Sequence, residues 1–145
     1  MYETQWFLVD VVNGPQGPGP YGPNGPFEEY PLSLGENLIG RRVGSNICTN
    51  SIYSSRRHCV IEVYRYHDQN ITIVDLSSSN GTYLNDEKIQ TRQRVNITAG
   101  DIIGIGICSD DMLENQYYKF RVCKRVYNNA RPSFPITEML NLKIC

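Results

Sequence analysis

A chain of 145 residues, 40% of them hydrophobic, has room for one domain with a sizeable core and some further chain. Its net charge of −1 gives no overall field toward nucleic acid or an anionic membrane, so direct binding to either is not expected. No apolar run reaches the roughly 18 residues of a bilayer-spanning helix, and the N-terminus lacks a charged-then-apolar signal pattern, so an intracellular protein is expected.

Short runs of alternating character, separated by turn residues, fill the chain, and no long stretch of helical period occurs. Trp6–Val12 reads as the first strand. Between Asn13 and Pro26 lie five glycines and five of the eight prolines, which remove donors and fix φ. That segment is read as a mobile loop inserted between the first two strands. Further strands are expected at Asn37–Arg42, Cys59–Tyr66, Ile71–Asp75, Thr82–Leu84, Arg94–Ile97, Ile102–Ile107 and Tyr117–Lys124. Cys59, Ile61 and Val63 share one face of their strand, with Val60, Glu62 and Tyr64 on the other. Tyr118, Phe120 and Val122 share a face near the end. One buried face per strand implies an all-β, two-sheet antiparallel sandwich with functional loops at one end. Residues 1–127 are assigned to that domain. Residues 128–145, interrupted by Pro132 and Pro135 and then apolar at Ile136, Met139, Leu140 and Leu142, read as a C-terminal extension.

The five cysteines (Cys48, Cys59, Cys108, Cys123, Cys145) are scattered and contain no Cys-x-x-Cys. A zinc site with His58 or His67 is disfavoured; reduced thiols are expected, with no metal and no cofactor. There is no nucleophile elbow, P-loop or carboxylate pair beside a metal-type cluster, so the chain is not read as an enzyme.

Charge is distributed unevenly. No acidic residue stands between Glu36 and Glu62, yet Arg41, Arg42, Arg56, Arg57 and His58 all fall there. Guanidinium forks beside small hydroxyl residues on loops of a rigid sheet are what phosphate recognition needs, through bidentate, charge-assisted bonds.

Four strings in order, Ile39-Gly40-Arg41, Ser55-Arg56-Arg57-His58, Asp75-Leu76-Ser77-Ser78-Ser79-Asn80-Gly81-Thr82 and Gly100-Asp101-Ile102-Ile103-Gly104-Ile105-Gly106, resemble the forkhead-associated (FHA) domain over about residues 6–126. The resemblance implies a module that binds a phosphothreonine-containing protein. In that likeness Arg41 grips phosphate and peptide backbone, and the Ser55 hydroxyl donates to a phosphate oxygen. Arg56 supplies a second donor, Ser79 lines the phosphothreonine pocket and Asn80 bonds the peptide backbone. Gly40, His58, Gly81 and Thr82 support the site, with His58 a buried strut rather than a base. Asn80-Gly81 is also a tight-turn dipeptide, so a hairpin turn is expected there. Two positions depart from the family pattern: Ser54 replaces an apolar anchor, and Thr49 replaces a buried aliphatic residue.

Pro31 to Arg41 is similar to the segment leading into the FHA domain of mediators of the DNA-damage checkpoint, which implies a nuclear protein of DNA-damage signalling. The alternative is an FHA-fold homodimerisation scaffold with a weak or unused pocket, whose dimer surface would draw on the apolar tail and on Val60 and Tyr64 facing outward. Thr4-Gln5, expected just before the first strand, has the form preferred by DNA-damage checkpoint kinases; phosphorylated, it would pair two copies. A homodimer is expected by either route.

Overall fold

The computed structural model describes residues 2–12, 29–64, 71–113, 116–128 and 141–145. The 13–26 insertion and His67 lie outside the described residues. Twelve strands run in chain order: β1 (Tyr2–Asp10), β2 (Glu29–Pro31), β3 (Gly35–Gly40), β4 (Ile47–Cys48), β5 (Cys59–Val63), β6 (Ile71–Asp75), β7 (Thr82–Leu84), β8 (Glu87–Lys88), β9 (Val95–Ile97), β10 (Ile102–Ile105), β11 (Tyr118–Asn128) and β12 (Asn141–Ile144). They form the two sheets of a β-sandwich. The first has the order β2-β1-β11-β10-β7-β8 with β12 also on β11; the second is β4-β3-β5-β6-β9. All pairings between strands are antiparallel except β3 with β4.

The core follows the period-two pattern. Trp6, Leu8, Ile103, Ile105, Phe120 and Val122 of the first sheet pack against Ile39, Ile61, Ile73 and Ile97 of the second. Each such side chain taken from water contributes about 1.5–3 kcal/mol, which locks the register of the strands that carry them. The expected strands are all present, Ile71–Asp75 and Thr82–Leu84 with the expected bounds and the others with shifted ends. The four not anticipated are β2, β4, β8 and β12. The first three have two or three residues, too few to show a period, and form only because a neighbouring strand offers an open edge.

Four expectations are corrected. Val60, on the face away from the core cluster, is buried rather than available as a dimer surface, because β5 lies mid-sheet and Leu38 and Val74 stand beside it as its cross-strand partners. Thr4 lies within β1, paired with Val126, rather than ahead of the strand. The eleven-residue β11 extends the ladder to Tyr2, which holds the Thr-Gln dipeptide in a sheet. The last residues form β12, which takes the β11 edge beyond the part used by β10: Ile102 faces Arg121, and Ile144 faces Lys124. That register carries Cys145 to Cys123, and the two are joined in a disulfide with Cα atoms 4.1 Å apart. Cys48, Cys59 and Cys108 are free. Neither pairing nor oxidation is readable from two cysteines 22 positions apart in sequence.

Candidate functional site

Gly40 ends β3 where the chain needs no Cβ. An added Cβ would stand 2.1 Å from the Arg56 carbonyl oxygen and 3.1 Å from the His58 nitrogen, both backbone atoms. Without it, 39–42 lies directly against 55–58. His58 N donates to Ile39 O (3.0 Å), Arg41 N to Ser55 O (2.9 Å) and Arg42 N to Arg56 O (3.1 Å). This lacing sets the two arginine pairs side by side.

Arg41 is exposed, and its Nε donates to Ser54 O at 3.2 Å. That bond anchors the guanidinium and leaves its two terminal nitrogens available as a fork. Ser55 and Ser79 meet across the loops: Ser79 N donates to Ser55 Oγ at 2.9 Å, and the two hydroxyl oxygens are 3.4 Å apart. Asn80 Nδ2 donates to Tyr53 O at 2.8 Å, tying 76–81 to 49–55 and leaving the side-chain carbonyl for a ligand amide. Arg56 is exposed on the same lacing. All five residues proposed to contact the ligand therefore sit on three loops at one end of the sandwich.

His58 is fully buried and bridges two of those loops. Its Nδ1 accepts from Ser55 N (3.0 Å), and its Nε2 lies 2.9 Å from Gly81 O, which assigns the neutral tautomer with the proton on Nε2. Burial pushes its pKa below the ordinary histidine range, against the opposing pull of the Gly81 carbonyl and the Asp75 carboxylate. It is a strut, and with both nitrogens engaged it is not placed as a base.

Gly81 has φ +83°, a conformation that favours glycine. Asn80 has no such φ, and Asn80-Gly81 is not a hairpin turn. The chain there leaves β6 in one sheet for β7 in the other. The hairpin is Asn85-Asp86, both at positive φ (51° and 68°), joining β7 to β8.

Asp75 is the organiser that the sequence did not single out. Buried at the end of β6, its Oδ1 accepts from Thr82 Oγ1 at 2.6 Å and from Ser78 Oγ, and its Oδ2 accepts from Ser78 N at 3.2 Å. The 76–81 loop is thus stapled at both ends. An aspartate three residues before a serine is the local signal for such a turn. Beside it, burial, reinforced by the Asp75 charge, pushes the Cys59 thiol far above its ordinary range and leaves it inert.

The two departures from the family pattern compensate one another. Thr49 and Ser54 are both buried, and Thr49 Oγ1 donates to Ser54 Oγ at 2.9 Å. Ser54 Oγ in turn lies 2.8 Å from Ser51 O. A satisfied hydroxyl pair replaces an apolar plug and holds Ser55 in position. Gln116 and Tyr118, just before and at the start of β11, buttress the same loop, with Asn50 N donating to Tyr118 Oη at 2.7 Å and Ser51 Oγ donating to Gln116 O.

A cleft of about 460 Å³ is lined by Tyr83, Asp86, Ile107, Met112, Tyr117 and Lys119 among others, and none of the five proposed contact residues lines it. Among the described residues, no group of three or more His, Cys, Asp or Glu side chains is placed to hold a metal ion.

A two-sheet sandwich that presents arginines, hydroxyls and an amide from adjoining loops has the groups that anion recognition needs. Residues 37–106 match the model described as FHA domain, so the chain contains an FHA domain, of a family known for binding phosphothreonine peptides. Full-length yeast Pml1p is similar in structure, with 25% identity, 83% of this chain and 82% of that one covered, and a TM-score of 0.62. The N-terminal FHA domain of S. cerevisiae Rad53p, solved with a phosphothreonine peptide, aligns over 81% of this chain and 91% of its own at 17% identity and a TM-score of 0.62, a likeness of fold. Mycobacterium tuberculosis EmbR, solved with a low-affinity phosphopeptide, aligns over 81% of this chain and 24% of its own, with 26% identity and a TM-score of 0.56. A comparison with curated protein sequences finds no match.

Proposed function

We propose that this chain is a phosphothreonine-peptide reader acting in nuclear DNA-damage signalling. The observation that carries the reading of the pocket is the Arg41 fork, anchored through Nε on Ser54 O and standing on the same lacing as Ser55, which meets Ser79 across the loops. A phosphate dianion takes the bidentate guanidinium and the two hydroxyls; a bare threonine hydroxyl offers no charge to that fork. Arg56 adds a second positive charge, and Asn80 holds the peptide backbone beside the phosphorylated residue. Specificity is therefore for the modified form. The nuclear DNA-damage role is supported by the likeness of Pro31 to Arg41 to checkpoint mediators.

Isothermal titration with a phosphothreonine peptide library and its unphosphorylated twin tests the pocket. Binding should require the phosphate, and Arg41→Ala should weaken it by about 2–5 kcal/mol, at least thirtyfold. Equal affinity for the two peptide forms would refute the reader.

A further inference from the structure

Arg42 and Arg57 have no role in the pocket described above, yet both are exposed on the segments laced by the Arg42 N to Arg56 O bond. Neither makes an ion pair among the described residues, where the bridges are Arg94–Glu62, Lys119–Asp86 and Arg125–Glu29. Local acids do not neutralise them. The 37–61 stretch contains none, and Asp75 is buried and engaged by Ser78 and Thr82. A phosphothreonine carries about −1.5 to −2 charges, which Arg41 and Arg56 already balance. Two positive charges stay uncompensated beside the pocket of a chain whose net charge is −1.

We infer that the preferred ligand carries, besides its phosphothreonine, a second anionic side chain, acidic or phosphorylated, which Arg42 and Arg57 hold. This rests on the phosphothreonine reading and specifies the ligand within it. An extended peptide advances about 3.5 Å per residue, so the second anion belongs within about four residues of the first, some 14 Å at most. The contact is a solvent-exposed ion pair: it selects among phosphopeptides, weakens with salt and does not replace the phosphate.

The test uses the whole chain and three phosphothreonine peptides: one with neutral flanks, one with two aspartates on the N-terminal side and one with two on the C-terminal side. Each is paired with its unphosphorylated form. Wild type and the Arg42→Gln/Arg57→Gln double variant are titrated at low and high salt. Wild type should bind one acidic-flanked phosphopeptide about tenfold more tightly than the neutral one, and the gain should shrink with salt. The double variant should bring the two within about twofold while keeping the neutral-flank affinity.

A wild type indifferent to flanks, a double variant that keeps the preference, or one that loses neutral-flank affinity would overturn this inference and leave the reader intact. An unphosphorylated acidic peptide that binds as tightly as its phosphorylated twin would overturn the reader itself. A single-stranded oligonucleotide binding as tightly as the best phosphopeptide, through the same two arginines, would overturn the assignment to a peptide. Exposed Arg→Gln changes leave the fold unchanged, which thermal melting of the variant checks.

Discussion

Gly40→Ala should damage both the fold and the site, because this glycine is required for space rather than for its φ. Its φ is not positive, so alanine is allowed by the backbone alone. The new methyl would meet Arg56 O at 2.1 Å, about 1 Å inside ordinary contact, and that oxygen belongs to main chain that cannot rotate away. The 55–58 segment must therefore move by about that distance, stretching the bonds from Arg42 N to Arg56 O and from Arg41 N to Ser55 O. Overpacking costs about 1–3 kcal/mol, and weakening the two hydrogen bonds adds about 1 kcal/mol. A total near 3 kcal/mol corresponds to a fall in Tm of about 12 °C for a domain of this size. Ser55 moves with the segment, so phosphopeptide affinity should fall further than the loss of folded protein explains. Gly44→Ala is the control: nothing lies within 4 Å of its Cβ, but its φ is +95°. It should cost about 1–2 kcal/mol through backbone strain, with affinity kept. Urea unfolding and titration calorimetry on both variants decide the matter. A Gly40→Ala protein with wild-type stability and affinity would refute the space argument.

The depressed His58 pKa sets a pH dependence. The folded state holds this histidine neutral while the unfolded chain protonates near pH 6.5, so stability is level above that pH and falls below it. The slope is at most about 1.4 kcal/mol per pH unit, and His58→Asn should remove it while lowering stability throughout; urea midpoints from pH 7.5 to 5.5 read both effects. An unchanged slope in the variant would show that the burial is not what matters. The Cys123–Cys145 bond closes a loop of 22 residues, for which chain entropy gives about 3 kcal/mol. Denatured protein should therefore titrate three thiols before reduction and five after it, and reduction or Cys145→Ser should lower the urea midpoint accordingly. Equal midpoints in the two redox states would count against a stabilising bridge.

The sandwich was legible in the sequence because it rests on local rules, and the candidate site because its strings resemble a family pattern. Alternation in residues 59–63 and 118–122 marks strands with a buried face, and apolar burial leaves such strands few arrangements. Arg41, Ser55, Ser79 and Asn80 stand in strings that resemble the FHA pattern, which marks them as candidates, and the structure places them on adjoining loops. Tertiary structure decided what depends on neighbours distant in sequence. β4, β8 and β12 exist because another strand's edge was open, and Val60 is buried because its strand is central. Cys123 meets Cys145 only through the β11–β12 register. Thr49 and Ser54 looked like defects, since a polar residue in place of an apolar one signals loss until its hydrogen-bond partner is seen. Asn80-Gly81 looked like a hairpin, since a turn dipeptide does not say which sheet the chain enters next. Asp75 gave no sign of its role for the same reason. A buried carboxylate acts through the groups that fold around it, and only the closed sandwich brings Ser78 and Thr82 to it.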